Sequence, residues 1–325
     1  MAEQEKKASL LPPMVILSGP TGVGKTKLSI ALAKEIGGEI ISADSMQVYE
    51  FMDIGSAKIT KEEMQGVRHH LIDVLKPWEE FNVVTFQSLC QEALKGIYER
   101  GNIPIVVGGT GFYVQALLRG IDFTENEDNT EYRRSLEELA KKEGPKVLHE
   151  MLIKVDPASA EAIHENNVKR TIRALEFFKL TGTPISKHNE EQRAKERAYN
   201  SCYFVLNDKR ELLYEKIEAR VDEMIRDGLV EEVKRLKDMG CVRTMTSMQG
   251  LGYKEILDYL AGECSLEDAI AKIKLETRHF AKRQLTWFRR EGDVIWLNKP
   301  DFGYDDQRIL SEMKRCLSEQ GIIHC

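Results

Sequence analysis

Gly19-Pro20-Thr21-Gly22-Val23-Gly24-Lys25-Thr26 is the stretch from which the fold of this 325-residue sequence is read. The octet follows an apolar run, Met14 to Leu17, and opens an amphipathic segment, Leu28 to Ile36. A strand, a glycine-rich turn and a helix in that order form a phosphate-binding loop. Glycines let successive backbone N–H groups turn inward as an anion nest. The helix beginning near Gly24 adds the positive end of its dipole. Lys25 brings a full charge to the outer phosphate, and Thr26 carries a hydroxyl suited to Mg2+. The octet binds a diphosphate or a nucleotide, and the rest of the chain must say which.

Outward from the loop, apolar runs predict buried strands at 14–18, 39–42, 71–75, 103–107, 202–206 and 294–297. Helical patterns separate the first four, at 26–36 and 84–100. Such alternation gives right-handed crossovers and a doubly wound sheet, with ligands at the carboxyl ends of the strands. From 130 to about 198 the pattern is helical only: 131–142, 146–153, 157–164 and 168–180, then a polar run at 187–200. Asp156-Pro157 caps one of these helices, and Thr181-Gly182 ends another. Long helices follow at 210–227, 229–239 and 266–290. The expected fold is α/β, a P-loop NTPase-like, mostly parallel sheet with an inserted all-helical domain. Residues 12–120 form the first part of the core, 121–200 the insertion, and 201–325 the completion of the core.

Composition sets the frame. An apolar fraction of 42% with 31% charged residues is that of a water-soluble globular chain. A net charge of −6 argues against a basic coat over the whole surface and leaves room for local basic patches. The six cysteines form no CxxC pair, so neither a disulfide framework nor a zinc ribbon is expected. Cys316, His324 and Cys325 read as idle groups near a frayed end rather than a metal cluster. No segment reaches the roughly 18 apolar residues of a membrane span, and the charged N-terminus is no signal peptide. The reading is of a monomer in the cytoplasm.

Several stretches carry chemistry. Asp44 closes the second strand beside the loop, where a carboxylate serves as a base, binds Mg2+ through water, or simply caps a helix. Asp73 is a weaker candidate of the same kind. The run 103–107 ends in Gly108-Gly109-Thr110-Gly111, where a nucleotide hydrolase would usually place an acid for Mg2+. Glycines there demand a close backbone approach, to a ligand or to a neighbouring helix. Lys272, Lys274, Arg278, Lys282, Arg283, Arg289 and Arg290 crowd one helix, interleaved with His279, Phe280, Trp287 and Phe288. Cations with aromatics suit RNA phosphates and bases; the alternative is a solvated cationic face. Lys169, Arg170 and Arg173 form a second cluster in the insertion. Arg220, among Glu218, Asp222 and Glu223, is by spacing a helix ion pair.

Taken in order, GPTGVGKT (19–26), DSMQVYEFMDIGSAK (44–58), HHLIDVLKP (69–77), GGTGFYVQALLRG (108–120), RALEFFKLTGTPIS (173–186), GLGYKEI (250–256) and KRQLTWFRR (282–290) resemble the bacterial tRNA dimethylallyltransferase, or tRNA isopentenyltransferase, family. Ser56 and Ile59 depart from it where threonine and proline are expected, and the zinc finger of eukaryotic relatives is not foreseen. The resemblance implies transfer of a dimethylallyl group from dimethylallyl diphosphate to the exocyclic amine of the adenosine at tRNA position 37, with Mg2+ as cofactor and the insertion gripping the anticodon stem-loop. It implies that Asp44 takes the amine proton, that Thr21 meets the bridging oxygen, and that Lys25 and Arg220 face the leaving diphosphate. Ser45, Met46 and Gln47 then read the base, while Thr110, Arg133, Gln249, Gly250, Gly252 and Tyr253 contact the tRNA, with Lys169, Arg170, Arg173, Arg278 and Lys282 on its phosphates. The competing enzyme reading is a P-loop small-molecule kinase. A nucleotide-switched RNA-binding regulator is the non-catalytic one, and it leaves the Asp44–Gln47 segment unexplained.

Overall fold

The computed structural model describes residues 11–121, 130–194 and 198–323. Among the described residues six parallel strands form one sheet in the order β3-β2-β4-β1-β5-β6: β1 (Pro13–Ser18), β2 (Gly38–Ser42), β3 (His69–His70), β4 (Ile103–Gly108), β5 (Asn200–Asn207) and β6 (Ile295–Asn298). Register is set in the middle, where Leu17 lies beside Val107 on one side and Phe204 on the other. Alternate side chains enter opposite cores. Met14 and Ile16 join Val106, Tyr203 and Val205 on one face, while Val15 and Leu17 join Ile105, Phe204 and Leu206 on the other. With both faces buried, the strands read as unbroken apolar runs.

Helices cover the sheet. α1 (Lys25–Ile36) leaves the phosphate loop, α2 (Val83–Glu99) is capped by the Asn82 carboxamide, and α3 (Gly111–Arg119) follows the glycines of β4. Buried Glu39 pins the β2 end of the sheet by accepting from Arg100, Asn102 and His70, and the arginine above all holds its carboxyl down to about 2. The expected strand at 71–75 does not form. Leu71 and Asp73 adopt positive φ, and the chain there hydrogen-bonds to the 47–48 backbone instead of a strand. Asp73 accepts from Lys58 at 2.6 Å, so its role is in this turn.

The chain divides into two compact units, Arg119–Arg197 and the remainder. Within the first, α4 (Thr130–Glu143), α5 (Pro145–Val155), α6 (Pro157–Ala162), α7 (Val168–Thr181) and α8 (Ile185–Ala194) pack around Leu136, Leu148, Leu152, Ile172 and Leu175. Buried Asp156 caps α6 through Ser159 and also accepts from the backbone and hydroxyl of Ser186. In the larger unit the chain continues through α9 (Arg210–Arg226), α10 (Leu229–Asp238), α11 (Tyr253–Leu260), α12 (Leu266–Phe288) and α13 (Asp306–Glu319). Among the described residues no helix is long and apolar enough to cross a membrane. His324 and Cys325 lie outside the described residues; the five cysteines within them are free.

Candidate active site

The phosphate loop runs from the end of β1 to the start of α1. Gly19 sits at φ +150°, and a Cβ there would stand 2.4 Å from the Leu206 carbonyl oxygen, so only glycine lets the loop lie this close to β5. Lys25 curls back over the loop, its Nζ donating to the carbonyls of Gly19 at 2.8 Å and Pro20 at 2.9 Å. Burial pulls its ammonium from 10.5 down to about 8, against the attraction of Asp44 and with a further push from Arg220. Thr26 is exposed on the first turn of α1.

Beside the loop opens a cavity of about 470 Å³, a size that suits a small ligand. Thr21, Asp44, Ser45, Met46, Thr110 and Arg220 line it, as do Gln249 and Gly250. One Asp44 oxygen, Oδ1, accepts the Met46 N–H at 2.8 Å, which makes a local turn rather than a helix cap. Oδ2 has no hydrogen-bond partner among the described residues. Half-buried Arg220 makes no ion pair within that set, so the helix-pair reading gives way. Its guanidinium is desolvated and lies close enough to Asp44 and Glu223 to feel both charges. Phe81 and Tyr113 form an aromatic wall, Tyr113 stacking on Phe86 at 4.7 Å. Burial first, and then Asp44, push the Tyr113 hydroxyl up to about 12.

Other expected site residues stand elsewhere. Gln47 is not on the lining; its carboxamide accepts from Ser42 Oγ and donates to the Ala57 carbonyl, which ties it to the 57 loop. Tyr253 is fully buried and donates to Glu232 Oε1 at 2.8 Å, so it is a core residue here rather than an RNA contact. Gly252 is likewise buried, its N–H donated to Glu255. Arg133 makes a bidentate pair with buried Glu176, which holds α4 to α7 and uses the fork expected for tRNA. Lys169, Arg170 and Arg173 are exposed at the start of α7, where the helix dipole disfavours cations, so helix stability does not account for them. The basic helix α12 splits in two. Lys272, Lys274 and Arg278 pair with Asp258, Asp222 and Glu218, while Lys282 is exposed and Arg283 reaches the cavity lining.

Two functional features escape sequence reasoning. Glu232, 1% exposed, accepts from the backbone N–H groups of Asp53, Ile54 and Gly55, fixing the loop that supplies Gly55 and Ser56 to the lining. Gln284 ties the phosphate loop to β4. Both sit in apolar helical stripes, Leu229-Glu232-Val233-Leu236 and Ala269-Ile273-Ala281-Gln284-Phe288, where a lone polar side chain is the available signal.

A phosphate loop opening onto an acceptor pocket that contains a free carboxylate oxygen, on a sheet whose β4 ends in glycine, defines a group-transfer enzyme rather than a nucleotide hydrolase. The chain's relatives say which group. A family model described as IPP transferase matches residues 47–291, and one described as isopentenyl transferase matches residues 13–77. The chain is 63% identical over 313 residues to a tRNA dimethylallyltransferase of Lachnoclostridium phytofermentans, covering 96% of this chain and 100% of that one. Among solved structures it is similar to the full-length tRNA isopentenylpyrophosphate transferase of Bacillus halodurans, at 45% identity, 95% and 98% coverage and a TM-score of 0.71. A eukaryotic dimethylallyltransferase acting on tRNA is similar at 32% identity, over 96% of this chain and 79% of that one, with a TM-score of 0.78. This chain belongs to the IPP transferase family, and the kinase reading finds no support among these relatives.

Proposed function

We propose that this protein transfers the dimethylallyl group of dimethylallyl diphosphate to the exocyclic amine of the adenosine at tRNA position 37, with the chemistry placed between the phosphate loop and Asp44. The observation that carries the reading is the Asp44 carboxylate, one oxygen free, sharing a single cavity with Thr21 and Arg220. Displacement at an allylic carbon builds negative charge on the diphosphate. The loop amides, Lys25 and Arg220 are fixed around that charge before it develops, which is how an enzyme favours a transition state. The Thr21 hydroxyl donates to the bridging oxygen as the carbon–oxygen bond breaks. Adenine's amine is a weak nucleophile, because its lone pair is spread into the ring, and Asp44 takes its proton as the new carbon–nitrogen bond forms. To reach the cavity the base leaves its stack. Ser45, Met46, Thr110, Gln249 and Gly250 line its seat.

The residues present suit Mg2+: the exposed Thr26 hydroxyl on the first turn of α1 is a hard oxygen donor that would hold the ion, with Asp44 kept for the proton. When bound there with the donor's phosphates, the ion supplies further neutralisation of the leaving group. Lys282 and Arg283 on α12 contact tRNA phosphates, and Lys169, Arg170 and Arg173 do so on the helical unit, the protein working as a cytoplasmic monomer.

Asp44→Asn tests the assignment. Asparagine keeps the shape and the turn bond but accepts no proton, so single-turnover transfer with both substrates saturating slows by about 10² to 10⁴-fold. Near-normal rates remove Asp44 as the base. A defect relieved by raised Mg2+ reassigns it to the metal.

A further inference from the structure

The Gln284 side chain fills the crevice between the carboxyl ends of the neighbouring strands β1 and β4, the region where ligands sit in a doubly wound sheet. Its Oε1 accepts the Thr21 N–H at 2.9 Å, and its Nε2 donates to the Gly109 carbonyl at 3.0 Å. The residue is 6% exposed and is part of the cavity wall. One carboxamide thus satisfies a donor on the phosphate loop and an acceptor at the end of β4, from a helix far along the chain.

The fit is chemically narrow. Only a side chain with an acceptor and a donor on one planar group, at this length, meets both partners. Methionine has the size but leaves the Thr21 N–H and the Gly109 carbonyl unpaired. Glutamate keeps the first bond and sets a carboxylate against a carbonyl at the second. The backbone is matched to the side chain as well: a Cβ on Gly109 would stand 2.0 Å from Gln284 Nε2, so the glycine leaves the space the carboxamide occupies. Gly108 abuts the backbone of Ala43, and Gly109 abuts Gln284.

We propose that Gln284 is a positioning residue for the donor site, locking the phosphate loop at Thr21 to the β4 corner at Gly109 in the geometry the diphosphate requires. The proposal rests on the reading that the loop holds the donor's diphosphate. An anion nest works through the angles of its N–H groups, so a loop freed at Thr21 binds less tightly and presents the Thr21 hydroxyl less accurately. Lys282 and Arg283, immediately before Gln284, then meet RNA on the same helix that holds the loop.

The test compares the wild type with Gln284→Met, Gly109→Ala and the double variant. It measures inorganic diphosphate binding by calorimetry, donor KM and kcat, the tRNA dissociation constant, and thermal unfolding. Gln284→Met is expected to weaken diphosphate binding and raise donor KM by about tenfold, the effect of losing the hydrogen bond that fixes the loop at Thr21, while tRNA affinity stays within about twofold. Gly109→Ala, which displaces the carboxamide, should reproduce this pattern, and the double variant should be no worse than the worse single one. Unchanged diphosphate affinity with a lowered unfolding temperature makes Gln284 a core residue only and overturns the proposal. Multiplying effects in the double variant overturn the pairing. If Gln284→Met does not fold, Gly109→Ala decides, since it displaces the carboxamide without adding a charge beside the loop; unaltered diphosphate binding overturns the lock. Diphosphate binding reads the lock without turnover, so a wild type that binds diphosphate and transfers nothing contradicts the functional reading alone.

Discussion

In the proposed site the Lys25 ammonium faces the donor's diphosphate, and the fold makes it sensitive to pH just above neutrality. Burial lowers it from 10.5 to about 8, Asp44 opposing and Arg220 adding to the fall. A neutral amine offers a diphosphate no ion pair, so the donor's apparent dissociation constant carries a factor of about 1 + 10^(pH − 8). That factor is about 1.1 at pH 7 and about 11 at pH 9, a roughly tenfold loss of affinity across the interval. Donor binding at pH 8 should accordingly take up about half a proton. The sign for stability is opposite. A lysine lowered in the folded state is more protonated in the unfolded chain between about 8 and 10.5, so the donor-free protein gains stability from this group as pH rises through that window. The full interval corresponds to about 3 kcal/mol, an upper figure because the half-buried side chain keeps some water. Calorimetry with inorganic diphosphate from pH 7 to 9, in buffers of different ionisation heat, reads both affinity and proton uptake. Lys25→Arg, which does not titrate there, should flatten the profile. A dissociation constant independent of pH in the wild type, or the same slope in Lys25→Arg, would refute the reasoning.

Three further outcomes are expected. Lys25→Ala should harm donor binding and leave tRNA retention in a filter-binding assay unchanged; lost tRNA affinity contradicts the assignment. Lys282→Ala should flatten the slope of log K against log salt by about one, whereas Arg278→Ala should flatten it less, because Arg278 is paired with Glu218 and lies over Tyr214. Equal changes would mean that the Glu218 pair opens when tRNA binds. Glu232→Ala leaves three backbone N–H groups and the Tyr253 hydroxyl without their acceptor, and denaturant unfolding should show a loss of about 3–5 kcal/mol; less than about 1 would mean that water enters the site freely.

Much of this molecule is written locally in its sequence. The strand at Met14 and the octet after it are read from periodicity and glycine spacing, because both faces of the strand are buried and the turn needs φ values that glycine supplies. The helical insertion is equally legible from its caps, Asp156 and Gly182. What escapes is tertiary. Residues 71–75 have a strand's composition, but positive φ at Leu71 and Asp73 turns the chain aside to satisfy the loop at 47–48. Tyr253 and Arg133 look available in sequence, yet one is needed by Glu232 and the other by Glu176. Arg278 looks like half of an RNA patch until Glu218 is found opposite it. Asp44, Thr21 and Arg220 come together because strand ends and α9 meet at one cavity, a convergence that spacing along the chain does not encode.

The most direct test of the central claim is to give the purified protein unmodified tRNA with Mg2+ and either dimethylallyl diphosphate or ATP, then weigh the RNA and locate any modified nucleoside. The account predicts one five-carbon unit on the adenosine at position 37 with the allyl donor, and no change with ATP. Phosphate transfer from ATP without prenylation, or prenylation that persists undiminished in Asp44→Asn, would contradict it.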